Sequence, residues 1–336
     1  MKNKKNDNSE VTIEDAKRAL HIYGEETAIV KGKTTKQKQS KIVQLEHSEI
    51  PRSILMKHNK VHLMLDYMFV QGIQFLTTVS SNFNFRTVEA LPYTNKKGAK
   101  KNDILNGVKR VINLYQSRGL LVQQINGDNE FECIREEIRP ILINISGADE
   151  HVSQVERSIR MIKERTRCQV QHLPYTKYLR SMVIVCVIFA TKSLNNEVDM
   201  SRLSDKHSPS MLITGRPQPK NDEVTSLMFG EYVEVYSGTN AINTNEECTT
   251  SAVALYPSGN LQRGWMFLSL NTGQVIHRHQ RKRLPIIEQI INRVEEIATK
   301  EKKPYIPNNF KYKWNKNLVD ETCVDSDEVS YSSSNE

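Results

Sequence analysis

Three acidic residues stand in local settings where a carboxylate is costly. Asp66 lies inside an apolar run, Leu63-Met64-Leu65-Asp66-Tyr67-Met68-Phe69-Val70. Asp128 closes a second run, which begins at Leu120 and ends Asn126-Gly127-Asp128-Asn129-Glu130-Phe131. Glu156 opens a basic helical stretch from Val155 to Lys163. An ionised carboxylate in an apolar strand is unfavourable unless something compensates it. Acids converging from separate elements share one natural compensator, a divalent cation. Mg²⁺ prefers a few carboxylates completed by water and substrate phosphates. Two such ions can clamp the attacking and leaving oxygens of a phosphodiester displacement.

The elements that must position these acids can be read from hydrophobic pattern and turn chemistry. Val61 to Val70 reads as a strand, Gln71-Gly72 as a tight turn and Ile73 to Val79 as its hairpin partner. Phe83 to Ala90 is a third strand. Asp103 to Arg118 carries apolar residues at helical spacing and Gly119 is its stop. Leu120 to Ile125 reads as an apolar strand of the buried, parallel kind, which puts Asp128 at a strand's C-terminal end, where open α/β sheets place their ligands. Ile141 to Ile145 is one more short strand. A helix from about Val152 to Cys168 then carries Glu156.

On that helix Val155, Ile159 and Ile162 form the apolar stripe. At about 100° per residue Glu156 flanks the stripe, whereas Glu164 lies nearly opposite, towards solvent. Glu156 is therefore preferred as the third acid. Glu164 and Glu150 remain alternatives, Glu150 at or before the helix start. Arg160 and Lys163 fall on the side of Glu156, one and two turns on, where they could touch phosphates. The cluster His277-Arg278-His279-Gln280-Arg281-Lys282-Arg283 is a stronger phosphate-binding candidate, with four Arg/Lys within six residues. If it forms one strand, Arg278, Arg281, Lys282 and Arg283 divide between its two faces.

Composition bounds the partners. The 336 residues carry a net charge of +8, and the last seventeen, from Asp320, contain six acids and no Lys or Arg. The remainder holds 47 basic against 33 acidic residues, a balance that suits a polyanionic partner. Cys133, Cys168, Cys186, Cys248 and Cys323 are scattered, with no CxxC pair and no zinc spacing. This usage points to a reducing, intracellular setting. The polar N-terminus is no signal peptide. The longest apolar run, Met182 to Ala190, is too short to cross a bilayer and reads as a buried helix or strand. No membrane and no small-molecule substrate are expected.

The chain divides as follows. Residues 1–55 form a basic, largely disordered arm, with a short helix from Asp15 to Tyr23, and 56–200 an α/β core. Residues 201–228 link the core to a small β-barrel at 229–284, with strands at Tyr232 to Tyr236, Ser251 to Leu255, Trp265 to Leu270 and Gln274 to His279. A helix follows at 285–303, then an acidic disordered tail at 304–336.

The order strand-Asp, strand-end Asp-Asn-x-Phe and Val-Glu-Arg on a basic helix resembles the DDE integrase core of retroelements, most of all the copia-type retrotransposon integrases. Leu65 to Leu76, Gly127-Asp128-Asn129-Glu130-Phe131 and Glu150 to Arg157 are similar to the three acid-bearing segments. His207-Ser208-Pro209 with Leu212 to Pro217, then Phe229-Gly230-Glu231-Tyr232-Val233 and Leu255 to Gln262, resemble the segments that follow the core. Together these span about residues 28 to 285.

The resemblance implies an RNase H-like mixed five-stranded sheet flanked by helices, then a small SH3-like barrel and a helix. It implies two Mg²⁺ or Mn²⁺ ions, with Asp66 and Asp128 sharing one and Glu156 completing the second. It also implies 3′-end processing and strand transfer on double-stranded DNA by a homo-oligomer, in the nucleus or the element's particle. Two features depart from the family pattern. No His/Cys set with zinc-ligand spacing lies upstream of Asp66, and the 27 residues between Asp128 and Glu156 fall short of the usual 35 or so. The chain also starts and stops without the neighbouring protease and reverse-transcriptase regions of the family, and is therefore expected to be a polyprotein fragment or a degenerate genomic copy. The alternative function is that of a decayed or domesticated integrase that binds DNA without cutting it.

Overall fold

The computed structural model describes residues 11–32, 48–92, 100–145, 153–198, 203–204, 206–216, 226–236, 247–258 and 264–300. A central sheet has the order β3-β2-β1-β4-β5, built from β1 (Lys60–Val70), β2 (Ile73–Ser80), β3 (Arg86–Ala90), β4 (Leu121–Gly127) and β5 (Leu142–Ile145). β1, β2 and β3 are antiparallel, and β4 and β5 run parallel to β1. With helices on both faces, this is the expected mixed five-stranded sheet flanked by helices. The hairpin between β1 and β2 closes on Gln71 (φ 51°) and Gly72 (φ 69°), pairing Val70 with Ile73. Positive φ at both turn residues gives the right-handed twist that two antiparallel strands need.

One face of this sheet packs on α4 (Lys101–Gln116), through Leu63, Leu65, Ile104, Val108, Ile112 and Ile125. Gly119, with φ 74°, ends the segment and returns the chain to β4. On the other face lie α5 (Ser153–Gln171) and α6 (Arg180–Asn196). The apolar run from Met182 is thus a buried helix. Its Asn195 clasps Arg86 of β3, donating to its carbonyl at 2.7 Å and accepting from its amide at 2.9 Å. β4 departs from the fully buried strand expected. It alternates, and Leu121 is 59% exposed, as Leu142 of β5 is at 64%.

Past α7 (Pro209–Thr214), a second, all-antiparallel sheet has the order β10-β6-β7-β8-β9. It comprises β6 (Tyr232–Tyr236), β7 (Thr249–Pro257), β8 (Trp265–Ser269), β9 (Val275–Arg278) and β10 (Arg281–Arg283). The basic cluster is therefore not one strand but the end of β9 and all of β10. Trp265, Phe267, Val233 and Val235 fill this module. Its other side merges with the core: Tyr232, Val253, Leu255 and Leu268 join one apolar cluster with Val170, Met182 and Cys186. Tyr175 donates from its hydroxyl to the Gly230 carbonyl at 2.9 Å across this seam. A last helix, α8 (Glu288–Lys300), starts three residues later than Pro285 and buries Val294 and Ala298.

Residues 11–32 carry the short helix expected at Asp15 to Tyr23, here α1 (Ile13–Tyr23), which buries no residue, and a second, unexpected helix, α2 (Thr27–Gly32). A third, α3 (Arg52–His58), precedes β1. α1 opens on a reciprocal cap between Thr12 and Asp15. α2 lies on the β module. Val30 is 3% exposed within the shared cluster, the Cys248 amide donates to the Lys31 carbonyl at 3.1 Å, and Lys31 pairs with Glu247 at 3.2 Å. The tail from residue 301, with Asp320, and Glu150 lie outside the described residues.

Candidate active site

Asp66 is carried by β1 opposite Thr77 of β2. Its Oδ1 accepts from the Tyr67 amide at 2.6 Å. The parallel pairing of β1 with β4 ends at the Met64–Asn126 pair and β4 itself one residue later, at Gly127, so Asp128 emerges beside Asp66 at the sheet's C-terminal end. Gly127 is required there: a Cβ would lie 2.8 Å from Cδ2 of Phe131 and 3.4 Å from the Leu65 carbonyl. Phe131, buried, stacks on Tyr67 with ring centroids 4.8 Å apart, which ties the turn after β4 to β1. Asp128 has extended backbone and caps the short 3₁₀ turn Asn129–Ile134, accepting from the Asn129 amide at 2.6 Å.

Glu156 comes from the first turn of α5. Val155 and Ile162 seat that helix in the core and are fully buried, with Ile159 half-buried beside them. The flanking stripe, Glu156, Arg160, Lys163 and Arg167, recurs at four, seven and eleven residues, which is one helix face beside the apolar one. Those four side chains line a cleft of about 460 Å³ whose other walls include Asp66, Tyr67, Phe69, Asp128, Glu130 and Ile159. The three acids expected from sequence are therefore brought together, and Arg160 and Lys163 are with them. Glu164 lines a different cavity, beside Arg165 and His172.

The electrostatics of the cleft centre on Asp66. Burial pushes its carboxyl up from an ordinary 3.8 to about 6. The Tyr67 amide pulls the other way, and Glu156, Asp128 and Glu130 add to the rise. Burial, then Asp128, also pushes Glu130 up, and burial pushes the Tyr67 phenol up. Asp66 and Glu130 are thus harder to ionise than free carboxylates, and the acid donors in the cleft are all hard oxygens. That donor set suits oxygen-seeking cations such as Mg²⁺ or Mn²⁺. Among the described residues, however, no group of three or more His, Cys, Asp and Glu stands in metal-holding geometry. The acids share the cleft without converging into a finished ligand set.

Sequence reasoning missed Glu130, Phe69 and Arg167. Two of them were within reach of a pattern. Glu130 is two residues past Asp128 on the same turn, and Arg167 continues the stripe of Glu156 and Arg160 by two turns. Phe69 carried no such signal, because its run reads as continuous core.

The second basic group lies elsewhere. Arg281 stacks over Trp265 at 5.3 Å and donates to the Ser226 hydroxyl at 2.9 Å. Lys282 pairs with Glu25 at 2.9 Å and Arg283 with Glu231 at 2.6 Å, while Arg278 donates to the His277 carbonyl. None of the four lines the cleft.

No helix among the described residues is long and apolar enough to cross a membrane. No protein-family model and no curated protein matches the chain. Among solved structures it is similar to the catalytic core domain of BIV integrase, at 15% identity over 45% of this chain and 92% of that one, with a TM-score of 0.33. It is also similar to a chain of the simian T-cell lymphotropic virus intasome in complex with PP2A regulatory subunit B56 gamma, at 15% identity over 80% of this chain and 91% of that one, with a TM-score of 0.34.

Proposed function

We propose that the chain is a metal-dependent integrase of the copia type, performing 3′-end processing and strand transfer of element DNA into target DNA. The observation that carries the reading is the meeting of Asp66, Asp128 and Glu156, from β1, the end of β4 and α5, in one cleft whose helical wall is basic. In this reading the three carboxylates hold two Mg²⁺ or Mn²⁺ ions. Such ions, when bound, activate water or a DNA 3′-hydroxyl and stabilise the leaving oxygen. Arg160 and Lys163 hold the phosphodiester backbone at the acids, which is chiefly a positioning role. Arg278, Arg281, Lys282 and Arg283 bind duplex DNA further along. The working form is a homo-oligomer on double-stranded DNA, in the nucleus or the element's particle.

A second reading is a non-catalytic DNA-binding protein that keeps the fold. It is favoured by the absence, among the described residues, of a finished metal-ligand group. An end-labelled duplex incubated with the full chain and Mg²⁺ or Mn²⁺ separates the two. Shortened 3′ ends and joined strands, both abolished by Asp66→Asn, support the enzyme. DNA binding without cutting in the parent, unchanged by Asp66→Asn, supports the second reading and rejects the first.

A further inference from the structure

Phe69 is out of place by the logic of its own strand. It closes an apolar run, pairs with Gln74 across β1 and β2, and yet is 47% exposed. Its neighbours in the run, Leu65 and Met68, are each 1% exposed. The ring lines the cleft that holds Asp66, and the half-buried Ile159 stands in the same lining. Arg160, Lys163 and Arg167 supply cations there. The cleft thus joins carboxylates, a half-exposed aromatic ring and three long cations in a volume of about 460 Å³. That is within the roughly 300–1,000 Å³ of small-ligand sites. A duplex stem offers an aromatic side chain nothing to stack on, because its bases stack on each other. An unpaired nucleotide offers both a π-face and a phosphate.

We infer that Phe69, backed by Ile159, is a nucleobase platform: the cleft takes an unpaired nucleotide next to the reacting phosphate, its base on Phe69 and its phosphates on Arg160, Lys163 and Arg167. The inference rests on the proposed DNA-processing role and deepens it, because it makes a frayed or single-stranded terminus, not intact duplex, the occupant of the site. Stacking of this kind is tolerant of sequence, so the platform selects strand opening and not base identity. Phe69 acts as a positioning residue. It brings no group to the reaction but fixes the nucleotide that carries the scissile bond.

The test uses the full chain and a duplex oligonucleotide with an unpaired 3′ dinucleotide carrying 2-aminopurine, with Ca²⁺ as the divalent cation. Binding is expected to quench the 2-aminopurine emission. Phe69→Ala is expected to abolish the quench and weaken binding of the frayed probe about tenfold, within the range of one base stack. Fully paired duplex should bind as before. Phe69→Trp should restore quench and affinity, whereas Phe69→Leu, which keeps apolar area without a π-face, should behave as the alanine variant does. Because the side chain is half exposed, the unfolding temperature is expected to stay near the parent's, and the tryptophan variant guards against a merely structural effect. Binding with the same emission in parent and Phe69→Ala overturns the inference and leaves the proposed function standing, as does a leucine variant that binds as tightly as tryptophan. Failure of the parent to bind either probe overturns the underlying function and the inference with it.

Discussion

Asp66→Asn should stabilise the protein, and only above the pH at which Asp66 ionises. The carboxyl sits at about 6 in the fold against an ordinary 3.8, chiefly through burial. A group raised in the folded state contributes stability that is fully present below its unfolded value and lost as pH rises through the folded one. The window therefore runs from about pH 4 to pH 7. The roughly hundredfold preference for the protonated form corresponds to about 3 kcal/mol as a ceiling. Asp66 is half-buried, and its solvent-facing side screens part of this, leaving about 1–2 kcal/mol. Asn removes the charge and keeps an Oδ1 to accept from the Tyr67 amide. The assay is the difference in unfolding free energy between parent and variant from pH 4 to pH 8, in which titration of other groups largely cancels. The difference should be near zero at pH 4 and reach its full value by pH 7.5, equivalent to about 3–6 °C in unfolding temperature for a domain of this size. Mg²⁺ should then raise the parent's stability, by about 2.7 kcal/mol at a hundredfold excess over its dissociation constant, and leave the variant nearly unmoved. A difference that is flat with pH would show that Asp66 ionises as an exposed carboxylate does, and would refute the argument from burial. A parent indifferent to Mg²⁺ and Mn²⁺ would remove the cation from the proposed function.

Four further outcomes follow from the same geometry. Gly127→Ala should push Phe131 off Tyr67, destabilising the fold by about 1–3 kcal/mol by denaturant unfolding and abolishing DNA cleavage, because Asp128 moves with the turn. Glu156→Gln should abolish cleavage of the labelled duplex while Glu164→Gln leaves it within about twofold; loss of activity in the second alone would move the third acid to Glu164. Arg167→Ala should lower the slope of log affinity against log salt by about 1 for DNA, and an unchanged slope would take Arg167 off the phosphate path. Val30→Ala should cost about 2 kcal/mol, two buried methyl groups at about 0.8 each plus a small cavity, measured by thermal unfolding; no loss would detach α2 from the β module.

What was legible in the sequence was local. The β1–β2 hairpin shows because Gln71-Gly72 separates two dense apolar runs, and Glu156 shows because the stripe of Val155 and Ile162 fixes the helix's phase. What was not legible depended on contacts distant in sequence. α2 has only six residues, too few for any periodicity to register, and it is held by one buried valine and by partners more than two hundred residues away. The strand read at Gln274 to His279 stops short of Arg281–Arg283, because composition cannot show that the chain turns at His279-Gln280 and sends them back beside β6 as β10. The basic cluster's cations also looked available, although Glu25 and Glu231 already hold Lys282 and Arg283. Phe69 was hidden for the opposite reason: an aromatic at the end of a core strand is indistinguishable, in sequence, from one that is buried.

The shared apolar cluster has a consequence for the site. α5 carries Glu156 and three of the cleft's cations on one face and, through Ile162 and Val170, is seated in the same cluster as Leu255 and Leu268 of the second sheet. The packing that fixes the third acid is therefore continuous with that of the β module, and a close-packed cluster transmits displacement because it has little free volume to absorb it. Lys282 is paired with Glu25, whose segment runs on to Val30 in the same cluster. A polyanion that drew Lys282 away from Glu25 would loosen one anchor of α2 on the cluster that seats α5. The β module is thereby joined to the helix that carries Glu156 by one continuous body of packing.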